Sequence, residues 1–111
     1  MEVVPRVIEY YVTTSGHIPY REWFESLAIK VQVAVDRRLT RIESGLIGDC
    51  KHISGGVLEL RIDSGPGYRI YFGQRGRAVI LLLCGGDKSS QKKDIQSAKK
   101  YWTDYLGRNE K

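Results

Sequence analysis

Four side chains that could bind and cleave a phosphodiester lie near the middle of the sequence: Glu59, Arg61, Arg69 and Tyr71. They alternate with apolar residues on either side of a glycine-rich turn over 64–67. Because successive side chains of a strand point to opposite faces, the pattern predicts a hairpin with all four on one face. Arginine forks bind phosphate bidentately, a carboxylate can accept a proton, and a tyrosine ring can stack on a base. The alternative interpretation is a surface ion pair beside a packed tyrosine.

A second polar cluster follows an apolar run over 78–83. Gly85, Gly86 and Asp87 lead into Lys88, and the residues after them include Gln91, Lys92 and Lys93. The pattern predicts a glycine turn between a strand and a helix capped by Ser89 or Ser90. Free N–H groups at a helix start bind phosphate, and lysines there favour an anionic partner. The alternative is a solvated, capped turn. The spacing matches neither a Walker A loop nor a GxGxxG motif.

The charge distribution favours the same half of the chain. Net charge is +5 over 111 residues. Residues 1–56 balance 7 Lys and Arg against 7 Asp and Glu, whereas residues 57–111 carry 11 against 6. A one-sided basic surface is typical of nucleic-acid binding, and it is also compatible with a merely soluble surface.

Other classes of function find little support. Cys50, Cys84, His17 and His52 do not stand at ligand spacing, so we expect no metal site and no disulfide. No apolar run is long enough to span a bilayer, and the first residues lack the pattern of a signal peptide. We therefore expect a cytoplasmic protein.

The elements that must position these residues form one α+β domain over 1–111, with helices on one face of a small, twisted, mainly antiparallel sheet. Arg37, Arg38 and Arg41 lie largely off the apolar stripe of the second predicted helix. The predicted elements in chain order are a strand over 3–13, a two-helix hairpin over 20–27 and 28–44, a polar loop over 48–56, a three-strand meander over 57–63, 68–72 and 78–83, and a C-terminal helix after 90.

Three strings resemble a known family: Leu-Glu-Leu-Arg-Ile-Asp (58–63), Gly-Pro-Gly-Tyr-Arg-Ile-Tyr-Phe (65–72) and Leu-Leu-Cys-Gly-Gly-Asp-Lys-Ser-Ser-Gln (82–91). They are similar to the addiction-module killer proteins, the phage Gp49-like, HigB-type branch of the RelE/ParE toxin superfamily. The resemblance implies a RelE-like fold and the toxin of a type II toxin–antitoxin system.

By resemblance, the activity is that of an endoribonuclease that inhibits translation by cutting mRNA, usually on the ribosome. The 2′-hydroxyl attacks the adjacent phosphate and leaves a 2′,3′-cyclic phosphate, without a metal or other cofactor. The implied partners are mRNA, the ribosome and a cognate antitoxin with a helix-turn-helix; no membrane is involved.

The resemblance also implies roles for single residues. Arg69 matches the arginine that binds the scissile phosphate, and Lys88 lies where related chains place a second cation. The catalytic tyrosine of RelE would fall near Asp94, so the base stays open between Glu59 and Lys88. The hypothesis places these residues at the site: Glu59, Arg61, Arg69 and Lys88 in catalysis, Tyr71 stacked on a base, and Gln91, Lys92 and Lys93 in contact with RNA.

Two other interpretations use the same fold. A ParE-like toxin would inhibit DNA gyrase by binding, without nuclease chemistry, and a patch built mainly on the two-helix hairpin would favour it. A non-catalytic RNA-binding domain would show salt-dependent affinity and no turnover.

Overall fold

The computed structural model of this chain describes residues 4–62 and 65–109. The predicted order of elements is confirmed apart from one additional strand, and the α+β class agrees with the structure. Val3, Asp63 and Ser64, which belong to predicted strands and turns, lie outside the described residues. The elements are β1 (Val7–Tyr10), α1 (Pro19–Glu25), α2 (Ile29–Glu43), β2 (Cys50–Ser54), β3 (Val57–Arg61), β4 (Arg69–Arg75), β5 (Val79–Gly86), a 3₁₀ turn (Lys88–Ser90) and α3 (Gln91–Asn109).

The five strands form one mainly antiparallel sheet in the order β1-β5-β4-β3-β2. Only the β1–β5 pair is parallel among the described strands. In the β3–β4 hairpin, Glu59 lies opposite Tyr71 and Arg61 opposite Arg69, which confirms the predicted shared face. The buried apolar run of β5 has side chains packed on both faces of the sheet, as predicted.

The strand β2 was not predicted. Residues 48–56 were interpreted as a polar loop, but Cys50–Ser54 pairs antiparallel with β3. Gly55 and Gly56 form the connection with φ of +61° and +86°, the backbone that a two-residue hairpin turn requires. The prediction was wrong because the outer strand of a sheet buries few side chains, so Cys50–Ser54 shows little apolar alternation.

The prediction that the helices share one face of the sheet was also wrong. The helices α1 and α2 pack on one face, and α3 packs on the other through Ala98 and Trp102. The hairpin face with the charged residues also carries Val57, Tyr71 and the bare backbone of Gly73. A Cβ at Gly73 would lie 2.3 Å from the Trp102 ring, so this glycine makes room for α3. The face is therefore apolar under α3 and charged at one end.

The glycines at the end of β5 serve packing rather than a turn. Gly85 and Gly86 are the last residues of the strand, and not a loop as predicted. A Cβ at Gly85 would meet the Trp23 ring at 2.3 Å, and one at Gly86 would meet a carboxylate oxygen of Asp94 at 1.8 Å. The chain turns after them, and Asp87 rather than a serine caps the 3₁₀ turn that leads into α3.

None of the helices described within 4–62 and 65–109 is long and apolar enough to cross a membrane.

Candidate functional site

A buried carboxylate organises the charged end of the hairpin. Glu59 is 0% exposed, and its Oε1 accepts a hydrogen bond from Nε of Arg61 at 3.4 Å. Its Oε2 accepts one from Nε2 of Gln91 at 2.8 Å and lies 3.5 Å from Nε of Arg69. A buried carboxylate needs hydrogen-bonding and ion-pair partners of this kind. The structure thus brings together four of the residues that the sequence singled out, and it places Glu59 behind the arginines.

The guanidinium of Arg69 is held from two sides. Its Nη1 donates to the carbonyl oxygen of Gly67 at 2.8 Å, and Arg69 as a whole is only 8% exposed. Its Nε faces Glu59 at an ion-pair distance but makes no hydrogen bond within the described ranges. Gly67 has φ of +77°, and a Cβ there would lie 3.1 Å from Nη1, so a glycine allows this close approach. Arg69 is consequently fixed in position by the fold.

Lys88 lies beside the same turn. Its backbone N–H donates to the carbonyl oxygen of Pro66 at 3.3 Å, which ties the 3₁₀ turn to the β3–β4 connection. A Cβ placed at Gly67 would be 3.4 Å from Cβ of Lys88, so the Lys88 side chain starts beside this glycine. The side chain of Lys88 is exposed. The side chain of Lys88 thus starts beside the turn that holds Arg69, and its role as a second cation stays a prediction.

An open pocket of about 520 Å³ lies between α2 and the β3–β4 turn. Its volume falls within the roughly 300–1,000 Å³ typical of small-molecule sites. Four arginines and one aspartate are the charged groups among the described residues of its wall. The described lining residues are Arg38, Arg41, Gly48, Asp49, Arg61, Ile62, Gly67, Tyr68 and Arg69.

Arg38 and Arg41 were missed as site residues. Nη2 of Arg38 donates to the carbonyl oxygen of Ile47, while its Nη1 is buried without a hydrogen-bond partner in the described part of the chain. Gly48 makes room for it, since a Cβ there would lie 2.5 Å from Nη2. Burial, and then repulsion by Arg41, lower the pKa of Arg38. The available signal was the spacing of two arginines one turn apart beside the apolar stripe of α2.

Tyr71 is in the core, so the hypothesis that its ring stacks on a base is wrong for this structure. The residue is 0% exposed and packs under α3 with Leu83 and Trp102. Burial, and then the charge of Glu59, raise the pKa of its phenol. The aromatic residue in the pocket wall is Tyr68, which is half-buried and contacts Trp23 edge-on at 6.4 Å between centroids.

The three predicted RNA contacts on α3 divide into two kinds. Gln91 is half-buried and binds Glu59, so it supports the arginines. Lys92 and Lys93 are exposed on the first turn of α3 and do not belong to the described wall of the pocket. Among the described residues, no group of three or more His, Cys, Asp or Glu side chains is placed to hold a metal ion.

The sequence matches a protein family over the range that holds this site. A family model described as "phage derived protein Gp49-like (DUF891)" matches residues 22–102. The chain is also 40% identical over 83 residues to an uncharacterized protein of Haemophilus influenzae, which covers 74% of this chain and 84% of that protein. The range 22–102 contains the arginines of α2, the β3–β4 hairpin and Lys88. This chain therefore belongs to the Gp49-like family of phage-derived proteins, a family of RelE- and HigB-like addiction-module killer proteins.

Proposed function

We propose that this chain is the toxin of a type II toxin–antitoxin system and that it cleaves mRNA. Its family is associated with toxin–antitoxin toxins. The observation that carries the nuclease proposal is the pair of cross-strand arginines, Arg61 and Arg69, fixed by a buried carboxylate next to the exposed Lys88. Groups held in place before the substrate arrives stabilise a transition state without reorganising.

The reaction that fits these groups is an internal transfer of the phosphate. The 2′-oxygen forms a bond to phosphorus, and the bond from phosphorus to the 5′-oxygen of the next nucleotide breaks. The products are a 2′,3′-cyclic phosphate and a 5′-hydroxyl, so one proton leaves the 2′-hydroxyl and one reaches the departing oxygen. Arg61 and Arg69 offset the negative charge that develops on the phosphate oxygens.

Lys88 is the better candidate for the proton acceptor of the two that the sequence left open. Glu59 is fully buried, and its two oxygens face Arg61, Arg69 and Gln91. A base must come within hydrogen-bond reach of the proton that it removes. We therefore assign Glu59 to positioning and Lys88 to proton transfer, and we assign no residue to the departing oxygen.

The partners follow from this function. The family implies a cognate antitoxin. We propose an antitoxin with a helix-turn-helix, and mRNA in the translating ribosome as the substrate.

The test is induced expression in growing bacteria with the 5′ ends of messages mapped. Arg61→Ala is the informative variant because Arg61 is half-exposed, whereas truncating Arg69 would disturb a buried ion pair. Lys88→Ala should lower cleavage by about 10²–10⁴-fold while RNA binding persists. Lys30→Ala, which removes one exposed charge on α2, is the control.

Each outcome separates the candidate functions. New ends in translated messages, 2′,3′-cyclic phosphates at the upstream fragments and loss of both in Arg61→Ala support the nuclease. Growth arrest with intact messages and a DNA-damage response would instead indicate a gyrase inhibitor. The arginines on α2 are the structural feature that favours that candidate. RNA binding with intact messages and normal growth would indicate a non-catalytic RNA-binding domain.

A further inference from the structure

The two arginines on α2 have no part in the reaction described above, yet they line the same pocket as Arg61 and Arg69. We propose that Arg38 and Arg41 bind a second backbone phosphate of the RNA, adjacent to the scissile phosphate that Arg61 and Arg69 hold. The inference rests on the proposed function in that it takes RNA as the ligand. The inference adds a second phosphate subsite to that function and names the two residues that form it.

The donors of Arg38 are the first argument. One of its terminal nitrogens donates to the carbonyl oxygen of Ile47, which fixes the plane of the guanidinium. The other, Nη1, is buried and has no hydrogen-bond partner among the residues that the structure describes. Buried donors in native proteins are normally satisfied, so an unsatisfied one beside a pocket is an available site for an acceptor. Because Nη1 has almost no accessible surface, a phosphate oxygen in the pocket would satisfy it after a small shift of the guanidinium.

The charge of the pocket is the second argument. Arg41 is exposed and close enough to repel Arg38 electrostatically. Asp49 is the one carboxylate in the described wall, against four guanidiniums. One phosphate can engage two arginine forks, and it offers acceptors in several directions. Four arginines therefore have capacity for two neighbouring phosphates.

The size and position of the pocket are the third argument. At about 520 Å³ it is large enough for more than a single ion. The pocket runs from the arginines of α2 to the turn at Gly67. At that turn Arg69 donates to the carbonyl oxygen of Gly67, and the 3₁₀ turn begins nearby at Lys88. The scissile phosphate would occupy the end near Gly67, and the second phosphate the end near Gly48.

The experiment measures binding of RNA that cannot be cut, so it does not depend on catalysis. The probes are a dinucleotide with one phosphate and a trinucleotide with two, each with a 2′-deoxy sugar at the scissile position and a fluorophore. Affinity is measured by anisotropy over a range of salt concentration for the wild type, Arg41→Gln and the control Lys30→Gln. Arg41 and Lys30 are both exposed on α2, so each variant removes one charge with little risk to folding.

The wild type and Lys30→Gln should bind the trinucleotide more tightly than the dinucleotide. The slope of log affinity against log salt should be steeper for the trinucleotide by about 0.7, the value for one further phosphate contact on a single strand. Arg41→Gln should bind both probes alike and lose that difference. Arg38→Lys, which keeps the charge but not the fork, should weaken only the trinucleotide.

Several results would overturn the inference. If Arg41→Gln keeps the full preference for the trinucleotide, the second phosphate binds elsewhere; intact mRNA cleavage by the wild type would show that the proposed function survives. If Arg41→Gln changes only the affinity for an acidic protein partner, the subsite belongs to that partner. If the folded wild type binds neither probe, the inference fails, and message mapping decides the proposed function separately.

Discussion

Replacing Glu59 with glutamine tests whether the buried carboxylate anchors the site. The substitution keeps the shape of the side chain and removes its charge, which leaves Arg69 without its carboxylate at 8% exposure. The new amide group would also place N–H donors against the donors of Arg61, Arg69 or Gln91. Removing one partner of a buried ion pair costs about 3–5 kcal/mol. We expect about 3 kcal/mol, because Arg61 is half-exposed and Arg69 keeps its bond to Gly67.

The assay is urea unfolding followed by the fluorescence of Trp23 and Trp102. Glu25→Gln, at the exposed end of α1, is the matched control and should change the free energy of unfolding by no more than about 0.5 kcal/mol. An anchor also predicts that Glu59→Gln weakens RNA binding along with turnover, since both arginines move. If stability and RNA binding stay at wild-type values while only turnover falls, Glu59 is a base and the positioning role is refuted.

Three further predictions follow from packing and charge. Gly73→Ala should destabilise the fold by about 1–3 kcal/mol, because its Cβ would clash with the indole ring of Trp102 on α3. Gly107→Ala, which has open space around it on α3, should instead stabilise the fold by up to about 1 kcal/mol. Thermal unfolding of both variants checks the two signs. Arg41→Gln should raise the free energy of unfolding by a few tenths of a kcal/mol by relieving repulsion with Arg38, and a drop in urea midpoint would contradict this. Burial, and then the hydrogen bond to Asp104, raise the pKa of Tyr11 from 10.0 to about 12; the unfolded chain therefore loses this proton first, and stability should fall between about pH 10 and pH 12, less steeply in Tyr11→Phe.

The hairpin could be predicted from the sequence because alternation of side chains is a local property. Glu59, Arg61, Arg69 and Tyr71 share one face as expected, with Arg61 directly opposite Arg69. Alternation cannot say which face a distant helix will cover. Tyr71 was interpreted as exposed because its neighbours on that face are charged, but α3 packs on the same face and buries it.

The α2 side of the site could not be predicted for a different reason. Periodicity places Arg38 and Arg41 beside the apolar stripe of the helix, and it gives no distance to a hairpin that begins at Val57. Their convergence with Arg61 and Arg69 depends on how α2 crosses the sheet and on the close packing of Gly48 against Arg38. Contacts of this kind exist only in the folded chain, so the sequence pattern alone does not reveal the pocket.

Burying guanidinium nitrogens without hydrogen-bond partners lowers the free energy of unfolding. The stability of the fold should therefore depend on whether a ligand occupies the site. Arg38 donates to Ile47 and Arg69 donates to Gly67 and faces Glu59, while one nitrogen of each is buried without a hydrogen-bond partner among the described residues. These cations are ordered and partly buried during folding, so an anionic ligand such as the proposed RNA would meet a rigid array and bind with a smaller loss of entropy. A phosphate that binds only the folded state must raise the stability of that state in proportion to its concentration.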